Sequence, residues 1–422
     1  MRTSRTRRGR SMLGPVSGSA ISLLLLTGCA SHAVPEPTSP VPADPGVWLA
    51  PDYADADGGT LETRELQGEL CAIDDGVAVV SISWEDAPDG EDRVTAIRLE
   101  DESELWSVQD VDCGRDHAKD GAVALFERPA EGGGNLVHSV DIATGETDYT
   151  LDDLGYSGEV VGFAGDTLVY LASVEKEDGA DQTGEDRWRH ELLGYRDGAL
   201  AWQVDLDFHV DCETAAALVA CTNRDSTDAT LVDAASGEAS QVPVDGGGIK
   251  FPKIEWAVDG YVVAGRPDFL EDEVTRGYGL DGALVGEVEG ERIGTAPLQT
   301  QLVLYPVEDL LRTDILASDA EGEVLLYWDD ESALRFAESG ESYEETDLPL
   351  GLFVASSADG GVLLFQTESD DAGGNGTLVT ADGSQIGSVR HEGGLLEWRT
   401  MGGMIVSIDS DGATIHLPPG MG

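Results

Sequence analysis

The sequence predicts an all-β fold, an eight-bladed β-propeller of four-stranded antiparallel blades, and three observations lead to this prediction. A short apolar strand recurs eight times between residues 69 and 418, at intervals of about 47 residues. Each copy is followed by two strand-like runs that are joined by a turn rich in Asp and Gly. A spare strand-like run before the first copy is placed to close the ring.

The recurring strand is apolar and is usually introduced by Gly or another turn residue. Its eight copies are Gly76-Val-Ala-Val-Val, Gly121-Ala-Val-Ala-Leu, Asp166-Thr-Leu-Val-Tyr, Ala216-Ala-Leu-Val-Ala, Gly260-Tyr-Val-Val-Ala, Gln301-Leu-Val-Leu-Tyr, Gly361-Val-Leu-Leu-Phe and Gly403-Met-Ile-Val-Ser. Runs this short, with turn signals on either side, are typical of strands that are buried on both faces. Helical periodicity is hard to find after residue 28, which favours the all-β class.

The second element of each repeat is a hairpin with a tight turn. Asp-Gly and Thr-Gly or Ser-Gly pairs supply the left-handed backbone positions that such turns need. The turn glycines are Gly145, Gly198, Gly237, Gly282 and Gly383. Trp106 and Trp202 lie just past such turns, where a flat ring can pack between two sheets.

Each repeat therefore holds about four strands, as residues 158–206 show well, and repeats of this kind are propeller blades. The strand, Asp-x-x-Thr/Ser-Gly, strand, Trp pattern resembles the PQQ-like propeller repeat, which also occurs in the propeller lipoprotein of the outer-membrane assembly machinery. The resemblance covers most of residues 69–418. Quinoproteins of this class bind pyrroloquinoline quinone, and many place two adjacent cysteines against it. No adjacent cysteines occur in this chain, so we expect neither this cofactor nor any other.

Ring closure decides the number of blades. The last unit, residues 395–418, supplies only about three strands. The run from Thr60 to Leu66 can pair into that unit as its fourth strand, which hides both sheet edges and makes eight blades. Seven blades are the alternative, because residues 331–350 within the sixth unit have no assigned strand.

Residues 1–28 form a leader with five arginines and no acidic residue, followed by an apolar stretch. The stretch is too short to be a membrane-spanning helix. Leu26-Thr27-Gly28-Cys29 resembles the lipobox of bacterial lipoproteins. The resemblance implies that the Cys29 thiol receives a diacylglyceryl group and that Cys29 becomes the mature N-terminus. The alternative is an ordinary secretory leader with a chance cysteine. Arg7-Arg8 leaves twin-arginine export open beside the general secretory route.

Residues 29–58 are expected to form a flexible tether, and residues 59–422 the propeller domain. Five prolines occur between residues 30 and 46, which favours extended conformations over a packed core. Lipid on Cys29 would then attach the domain to the extracytoplasmic side of the cell membrane.

The formal charge of the chain is −57, and loss of the five leader arginines would lower it to −62. Such an acidic protein is a poor partner for nucleic acid or for an anionic membrane surface. A well-solvated acidic surface explains the charge, and a dedicated site for cations or for a basic partner is the alternative.

Four further cysteines, an even number in an exported chain, predict two disulfides. Three pairings exist. The spacing favours Cys212–Cys221, because eight residues between them suit a hairpin, and this leaves Cys71–Cys113. The spacing fits no zinc pattern.

No catalytic or metal-binding constellation stands out in the sequence. Asp55-Ala-Asp57-Gly58 and Asp409-Ser-Asp411-Gly412 resemble fragments of a calcium loop, but both lack the acidic residue at position twelve and are interpreted as turns. The seven histidines have no metal-ligand spacing, and they are His32, His117, His138, His190, His209, His391 and His416. His138, His190 and His416 lie inside predicted strands, where structural roles are expected.

Three functions remain as hypotheses. The leading one is a non-enzymatic binding scaffold for an envelope protein or ligand, because an anchor, a tether and a propeller occur without a visible catalytic set. The second is a polysaccharide-directed hydrolase or lyase that uses channel-facing carboxylates. The third is a sensor of ions or small ligands.

Overall fold

The structure is a computed structural model, and it describes a set of ranges that omits the leader and many connections. The described residues are 33–37, 48–83, 91–114, 118–119, 121–127, 135–152, 154, 157–175, 188–206, 210–215, 217–223, 227–244, 247–268, 272–289, 306–312, 314–343, 352–367, 374–391, 397–409 and 412–421. Cys29, His32, His117 and His209 therefore lie outside the described residues.

The described part of the chain is almost entirely β-structure. Its strands are β1 (Thr63–Gln67), β2 (Glu69–Asp74), β3 (Val77–Ile82), β4 (Arg93–Arg98), β5 (Glu104–Gln109), β6 (Val111–Asp112), β7 (Ala118–Lys119), β8 (Ala122–Glu127), β9 (Leu136–Asp141), β10 (Thr147–Leu151), β11 (Ser157–Ala164), β12 (Thr167–Glu175), β13 (Trp188–Arg196), β14 (Ala199–Leu206), β15 (Val210–Ala215), β16 (Leu218–Asn223), β17 (Asp228–Asp233), β18 (Ala239–Pro243), β19 (Lys250–Trp256), β20 (Gly260–Arg266), β21 (Val274–Gly279), β22 (Leu284–Glu289), β23 (Ile315–Ser318), β24 (Val324–Trp328), β25 (Leu334–Phe336), β26 (Phe353–Ser356), β27 (Leu363–Thr367), β28 (Asn375–Val379), β29 (Gln385–Arg390), β30 (Glu397–Met401), β31 (Met404–Ile408) and β32 (Gly412–His416). A 3-10 helix (Pro51–Asp55) and the one-turn helix α1 (Val307–Leu310) complete the described elements.

These strands form eight antiparallel sheets, which are the blades of an eight-bladed propeller. Blade 1 holds β2–β5, blade 2 β6–β10, blade 3 β11–β14, blade 4 β15–β18 and blade 5 β19–β22. Blade 6 holds β23–β25, blade 7 β26–β29, and blade 8 β30–β32 together with β1. The predicted fold class is confirmed, and the alternative of seven blades is wrong.

The ring closes through the spare N-terminal strand, as the sequence predicts. Strand β1 pairs with β32 in an antiparallel register that runs from Thr63 opposite His416 to Gln67 opposite Gly412. The last blade thus takes its fourth strand from the start of the domain, and the edges of blades 1 and 8 are not left open at the junction.

Seven of the eight predicted apolar runs coincide with the second strand of a blade, namely β3, β8, β12, β16, β20, β27 and β31. The sixth run, residues 301–305, lies outside the described residues. The second strand of blade 6 is instead β24, which lies further along the chain. Strand β25 lies in residues 331–350, where the sequence predicts no strand. Its residue Arg335 also forms an isolated antiparallel bridge with Ser342.

The core lies between neighbouring blades. Strand β3 is buried over Val77–Val80, and all five residues of β31 are buried. The fourth strands, such as β14 and β22, are largely exposed. Contacts of β11 with β15 and of β26 with β30 place the first strands at the centre of the ring. An apolar second strand is therefore needed in every blade, since it is covered on both faces.

Two tryptophans join blades by packing on turn glycines of the next blade. Trp106 Nε1 donates to the carbonyl of Ile142 at 2.8 Å, and its ring lies against Gly145. Trp202 packs in the same way on Gly237. Both glycines have positive φ, +73° and +72°, and a Cβ atom there would overlap the indole. The turn therefore needs glycine for its backbone and for the close approach of the ring.

Residues 48–61 form an N-terminal strap that packs on blades 7 and 8. Leu49 N donates to Ser356 O at 3.0 Å, and Tyr53 in the 3-10 helix is fully buried. Thr60 bridges in parallel to Ser388 of β29. Trp48, Leu49 and Tyr53 are therefore packed, although they lie within residues 29–58, which the sequence predicts to be a flexible tether. Apolar side chains at Trp48, Leu49 and Tyr53 are the physical reason, since only burial removes them from water.

No helix among the described residues is long and apolar enough to cross a membrane.

Candidate functional site

The two faces of the ring differ in the length of the connections that they carry. Connections from first to second strands and from third to fourth strands contain two to six residues, and they define the short-turn face. Connections from second to third strands and from one blade to the next define the long-connection face. The longest of these segments, residues 83–92, 128–135, 176–187 and 290–314, lie largely outside the described residues, so the structure places only the strand ends that they join. Because long connections commonly carry function in such scaffolds, the long-connection face is the candidate binding face.

Five acidic residues lie on the first strands of blades 1–4; four of them lie in the half of the strand nearer this face, and Glu213 lies past the middle of β15. We call them the acidic rim, and they are Glu69, Asp112, Glu159, Asp211 and Glu213. The first strands of all blades run in the same direction around a propeller, so their beginnings meet at one opening of the central channel. All five residues are exposed or half-buried.

Two of the segments that join these strand ends are acidic in sequence. Residues 83–92 contain five acidic residues and no Lys or Arg, and residues 176–187 contain five acidic residues against two basic ones. Two lysines, Lys250 and Lys253, lie on the first strand of blade 5, and Lys250 pairs with Asp268 at 2.9 Å. The acidic side of the face thus spans blades 1–4.

Both disulfides lie among the rim residues. Cys71–Cys113 joins the first strands of blades 1 and 2, with the Cα atoms 5.9 Å apart. Cys212–Cys221 links β15 to β16 within blade 4, where the two residues are direct cross-strand partners. This is the pairing that the spacing favours. Two covalent links so close to the rim hold its backbone in place.

Hydrogen bonds orient one rim carboxylate further. Asp112 Oδ1 accepts from Ser81 Oγ at 2.7 Å and from the backbone N–H of Cys113 at 2.8 Å. The same carboxylate therefore links blades 1 and 2 beside their disulfide. This side chain contributes to the rigidity of the rim as well as to its charge.

Desolvation raises the pKa of the Glu213 carboxyl, although much of the Glu213 residue is exposed in β15. A hydrogen bond from the indole of Trp256, on the first strand of blade 5, acts in the opposite direction. A raised carboxyl pKa in a central opening is a property that general acids share.

A second cluster lies between blades 7 and 8, and it contains the residue types of a hydrolytic triad. His391 Nδ1 lies 3.0 Å from Ser407 Oγ, and His391 Nε2 lies 3.2 Å from Asp409 Oδ2. Ser407 Oγ also lies 3.0 Å from His416 Nε2. Ser407 and His416 are 0% exposed and His391 is 2% exposed, so no substrate reaches the hydroxyl. The cluster therefore has a structural role in this conformation.

The predicted histidines are found where the strands were expected. His138 lies in β9, His190 in β13 and His416 in β32. His138 bonds Thr150 Oγ1 and Glu127 Oε2 in blade 2. His391 follows β29, and the sequence did not single it out, since it has no nearby partner in the chain. Only the fold brings it to Ser407.

The two calcium-like fragments behave as local structure where they are described. Asp55 ends the 3-10 helix, and Asp409 Oδ1 accepts from Gly412 N at 2.9 Å in a turn. Residues 410–411 lie outside the described residues. Within the described ranges, no group of three or more His, Cys, Asp or Glu residues is arranged to hold a metal ion.

Comparison with known proteins gives structural similarity without sequence relatives. No family model matches the chain, and no curated protein matches it. Among solved structures, BamB from Moraxella catarrhalis is similar at 12% identity and a TM-score of 0.33, over 83% of this chain and 82% of that chain. A quinohemoprotein alcohol dehydrogenase from Comamonas testosteroni is similar at 10% identity and a TM-score of 0.41, over 88% and 78% of the respective chains.

An acylaminoacyl peptidase from Pyrococcus horikoshii is similar at 10% identity and a TM-score of 0.40, over 83% of this chain. The match covers 50% of the peptidase, so this chain spans about half of its length. At such identities and scores, the similarities do not assign an activity, a cofactor or a partner to this chain.

Proposed function

We propose that this protein is a lipoprotein held by lipid on Cys29 at the extracytoplasmic side of the cell membrane, where it acts as a non-enzymatic binding scaffold. The observation that carries the proposal is the division of the ring into two faces. One face carries the strand ends of the longest connections and, in blades 1–4, the acidic rim beside two disulfides; the other face has short turns, which contain acidic residues of their own. A partner that binds by charge and shape needs such a rigid, one-sided surface.

The charge of the rim defines the chemistry of the partner. Acidic residues on the first strands of four neighbouring blades attract a protein surface rich in Lys and Arg, and long-range attraction raises the rate of association. The net charge of −57 makes an anionic partner unfavourable. We therefore expect a basic envelope protein as the partner, bound at the long-connection face.

Capture from intact envelopes tests the scaffold. The wild-type protein should retain a basic envelope protein at low ionic strength and lose it as salt screens the rim. The triple variant Glu69→Gln, Glu159→Gln, Glu213→Gln should retain much less. Its matched control, Glu146→Gln, Glu238→Gln, Glu321→Gln, removes the same number of exposed carboxylates from the short-turn face and should retain the wild-type amount. Equal retention by the two variants would place the binding surface elsewhere and reject the rim.

Lipid attachment has its own test. Cys29→Ser should move the protein from the membrane fraction to the soluble extracytoplasmic fraction, and mass spectrometry of the wild-type N-terminal peptide should show a diacylglyceryl group on the cysteine. A wild-type protein whose cleaved N-terminus carries no lipid would contradict the anchor while leaving the scaffold hypothesis open.

Glu213 supports an enzymatic second candidate, a polysaccharide-directed hydrolase or lyase with channel-facing carboxylates. Its raised pKa is suited to a general acid. Turnover of envelope polysaccharides by the wild-type protein, lost in Glu213→Gln and kept in Glu159→Gln, would favour this candidate. Absence of turnover in the wild-type protein leaves the scaffold as the function.

A further inference from the structure

The seam between blades 7 and 8, defined by His391, Ser407, His416, Trp398 and the N-terminal strap, combines buried imidazoles with an apolar surrounding. Trp398 and Ile405 pack there against side chains of blade 7 and the strap. The apolar members are Leu49, Tyr53, Val354, Val362, Leu364, Leu378, Val389, Trp398 and Ile405. The ring of Trp398 lies 5.3 Å from that of His416. Burying a charge among such groups is costly unless it finds a partner.

The hydrogen-bond chain of the seam accommodates one arrangement of protons when both imidazoles are neutral. With a proton on His391 Nε2 facing Asp409, the Nδ1 atom accepts from the Ser407 hydroxyl. The Ser407 oxygen then accepts from the Nε2–H of His416. In this arrangement His416 Nδ1 carries a lone pair.

His416 Nδ1 is buried and has no hydrogen-bond partner among the described residues. A lone pair left there is tolerated better than an added proton, because protonation creates both a buried N–H without an acceptor and a buried positive charge. A second imidazolium at His391 would also repel it across Ser407. The geometry therefore keeps His416 neutral while the seam is closed.

The other ionisable groups of the packed elements do not offset this charge. Strands β26, β27, β28 and β31 contain no acidic or basic residue, and β29 contains only Arg390, which is exposed at its end. On β30, Glu397 and Arg399 pair with each other at 3.0 Å, and alternation places Arg399 on the opposite face from Trp398.

The strap and β1 contribute the remaining polar groups. Glu65 lies on the same face of β1 as Thr63 and is exposed, and the three aspartates of the strap, Asp52, Asp55 and Asp57, are exposed as well. Thr63 lies opposite His416 on β1, and its neighbours Glu62 and Arg64 pair with each other at 2.6 Å. From the 3-10 helix, Tyr53 OH donates to the carbonyl of His416 and accepts from Ile405 N. The strap therefore holds the same residue whose imidazole resists protonation.

We propose that the seam is an acid-sensitive latch, in which a proton taken from solvent by His416 Nδ1 releases the N-terminal strap from blade 8. The imidazole becomes an imidazolium that reaches water only when β32 and the strap separate. Burial, and to a lesser extent the charge of His391, lowers the pKa of His416 to about 4. At pH values between this pKa and the ordinary value near 6.5, proton uptake by His416 therefore favours the open seam.

Hydrogen exchange of the full chain tests the latch. After correction for intrinsic exchange, the strap peptide covering residues 49–55 should open roughly fiftyfold more at about pH 4.5 than at pH 7. The peptide covering residues 234–237, at the contact between blades 3 and 4, should change far less. Equal changes in the two peptides, or none in the strap, would overturn the proposal.

A variant separates His416 from the other titrating groups. His416→Gln keeps an N–H for Ser407 but takes up no proton in this range, so strap exchange should become independent of pH. His138→Gln, at the partly exposed histidine of blade 2, should keep the wild-type response. A pH response that survives in His416→Gln refutes the latch. If this variant does not fold, the pH responses of the two wild-type peptides, residues 49–55 and 234–237, are sufficient to test the latch.

Discussion

The contact between blades 3 and 4 and the seam between blades 7 and 8 solve the same packing problem by different chemistry. In the first, Trp202 Nε1 donates to Ala234 O at 2.8 Å while the indole covers Gly237. Arg196 and Thr167 donate to the same carbonyl. In the seam, two imidazoles and a hydroxyl form the buried polar chain, and the N-terminal strap covers it.

The two contacts differ because the seam joins the two ends of the propeller domain, whereas the blade 3–4 contact joins consecutive blades. Residues of the blade 3–4 contact are near in sequence, and Trp202 and Ala234 are separated by 32 positions. Tyr53 and His416 are separated by 363 positions, so the seam must join the two ends of the domain. Its strap adds contacts that offset the larger loss of chain entropy. The side chains named for the blade 3–4 contact do not titrate near neutral pH, whereas the seam contains the buried imidazole of His416.

Removing the indole of the blade 3–4 contact is expected to have the largest effect. Trp202→Ala deletes a large buried side chain and leaves a cavity between two sheets, at a cost of about 4 kcal/mol. The cost should not depend on pH between 5 and 7. Urea unfolding at both pH values measures it. A cost that changes strongly with pH would show that the two contacts are not chemically distinct.

Acid should destabilise the seam by a similar but smaller amount. The pKa of His416 is depressed in the folded protein to about 4, so its contribution is full above pH 6.5 and is lost as pH falls toward 4. The depression corresponds to about 3 kcal/mol. The difference in unfolding free energy between wild type and His416→Gln, followed over this window, reports it. A difference that stays constant with pH contradicts the depressed pKa.

Loss of one hydroxyl tests how the strap is held. Tyr53→Phe leaves the carbonyl of His416 and the N–H of Ile405 without their buried partner, which costs about 2 kcal/mol. Thermal unfolding measures this loss. Protease sensitivity of the strap should rise at the same time, while Tyr149→Phe, at a half-buried tyrosine of blade 2, should leave the strap protected. An unchanged strap in Tyr53→Phe would mean that packing alone holds it.

A pair of glycine substitutions gives the smallest effect and isolates packing from backbone strain. Gly76 has φ +75° and open space around a Cβ atom, whereas Gly237 has φ +72° and the indole of Trp202 in that space. Gly76→Ala should cost about 1 kcal/mol from backbone conformation, and Gly237→Ala about 1 to 2 kcal/mol more from overpacking. Equal costs for the two substitutions would show that the indole of Trp202 does not constrain the turn at Gly237.

The repeat made most of the fold predictable. Short apolar runs such as residues 77–80 encode buried second strands by composition alone, and Gly145 and Gly237 mark turns because only glycine tolerates them. Blade 6 was harder, since the connection before it is long and its second strand, β24, does not follow the regular interval. The strap was not predicted because Trp48, Leu49 and Tyr53 follow directly on a proline-rich segment and are interspersed with a proline and three aspartates.

The candidate site was predictable only in part. Residue spacing pointed to Cys212–Cys221, because a hairpin brings both ends of a short segment together. The acidic rim gave no signal among 82 acidic residues, since a residue belongs to the rim only if it lies on the first strand of a blade. His391 also gave no signal, because its partners Ser407 and His416 belong to another blade.

By itself, the sequence determined the all-β class, the repeated blade, the closing strand and the acidic charge, because each is written locally in apolar runs, turn residues and composition. The tertiary structure decided which acids share one opening, which blade each disulfide braces and which histidine is buried beside Ser407. These properties depend on contacts between residues far apart in the chain, and only the closed ring brings those residues within bonding distance.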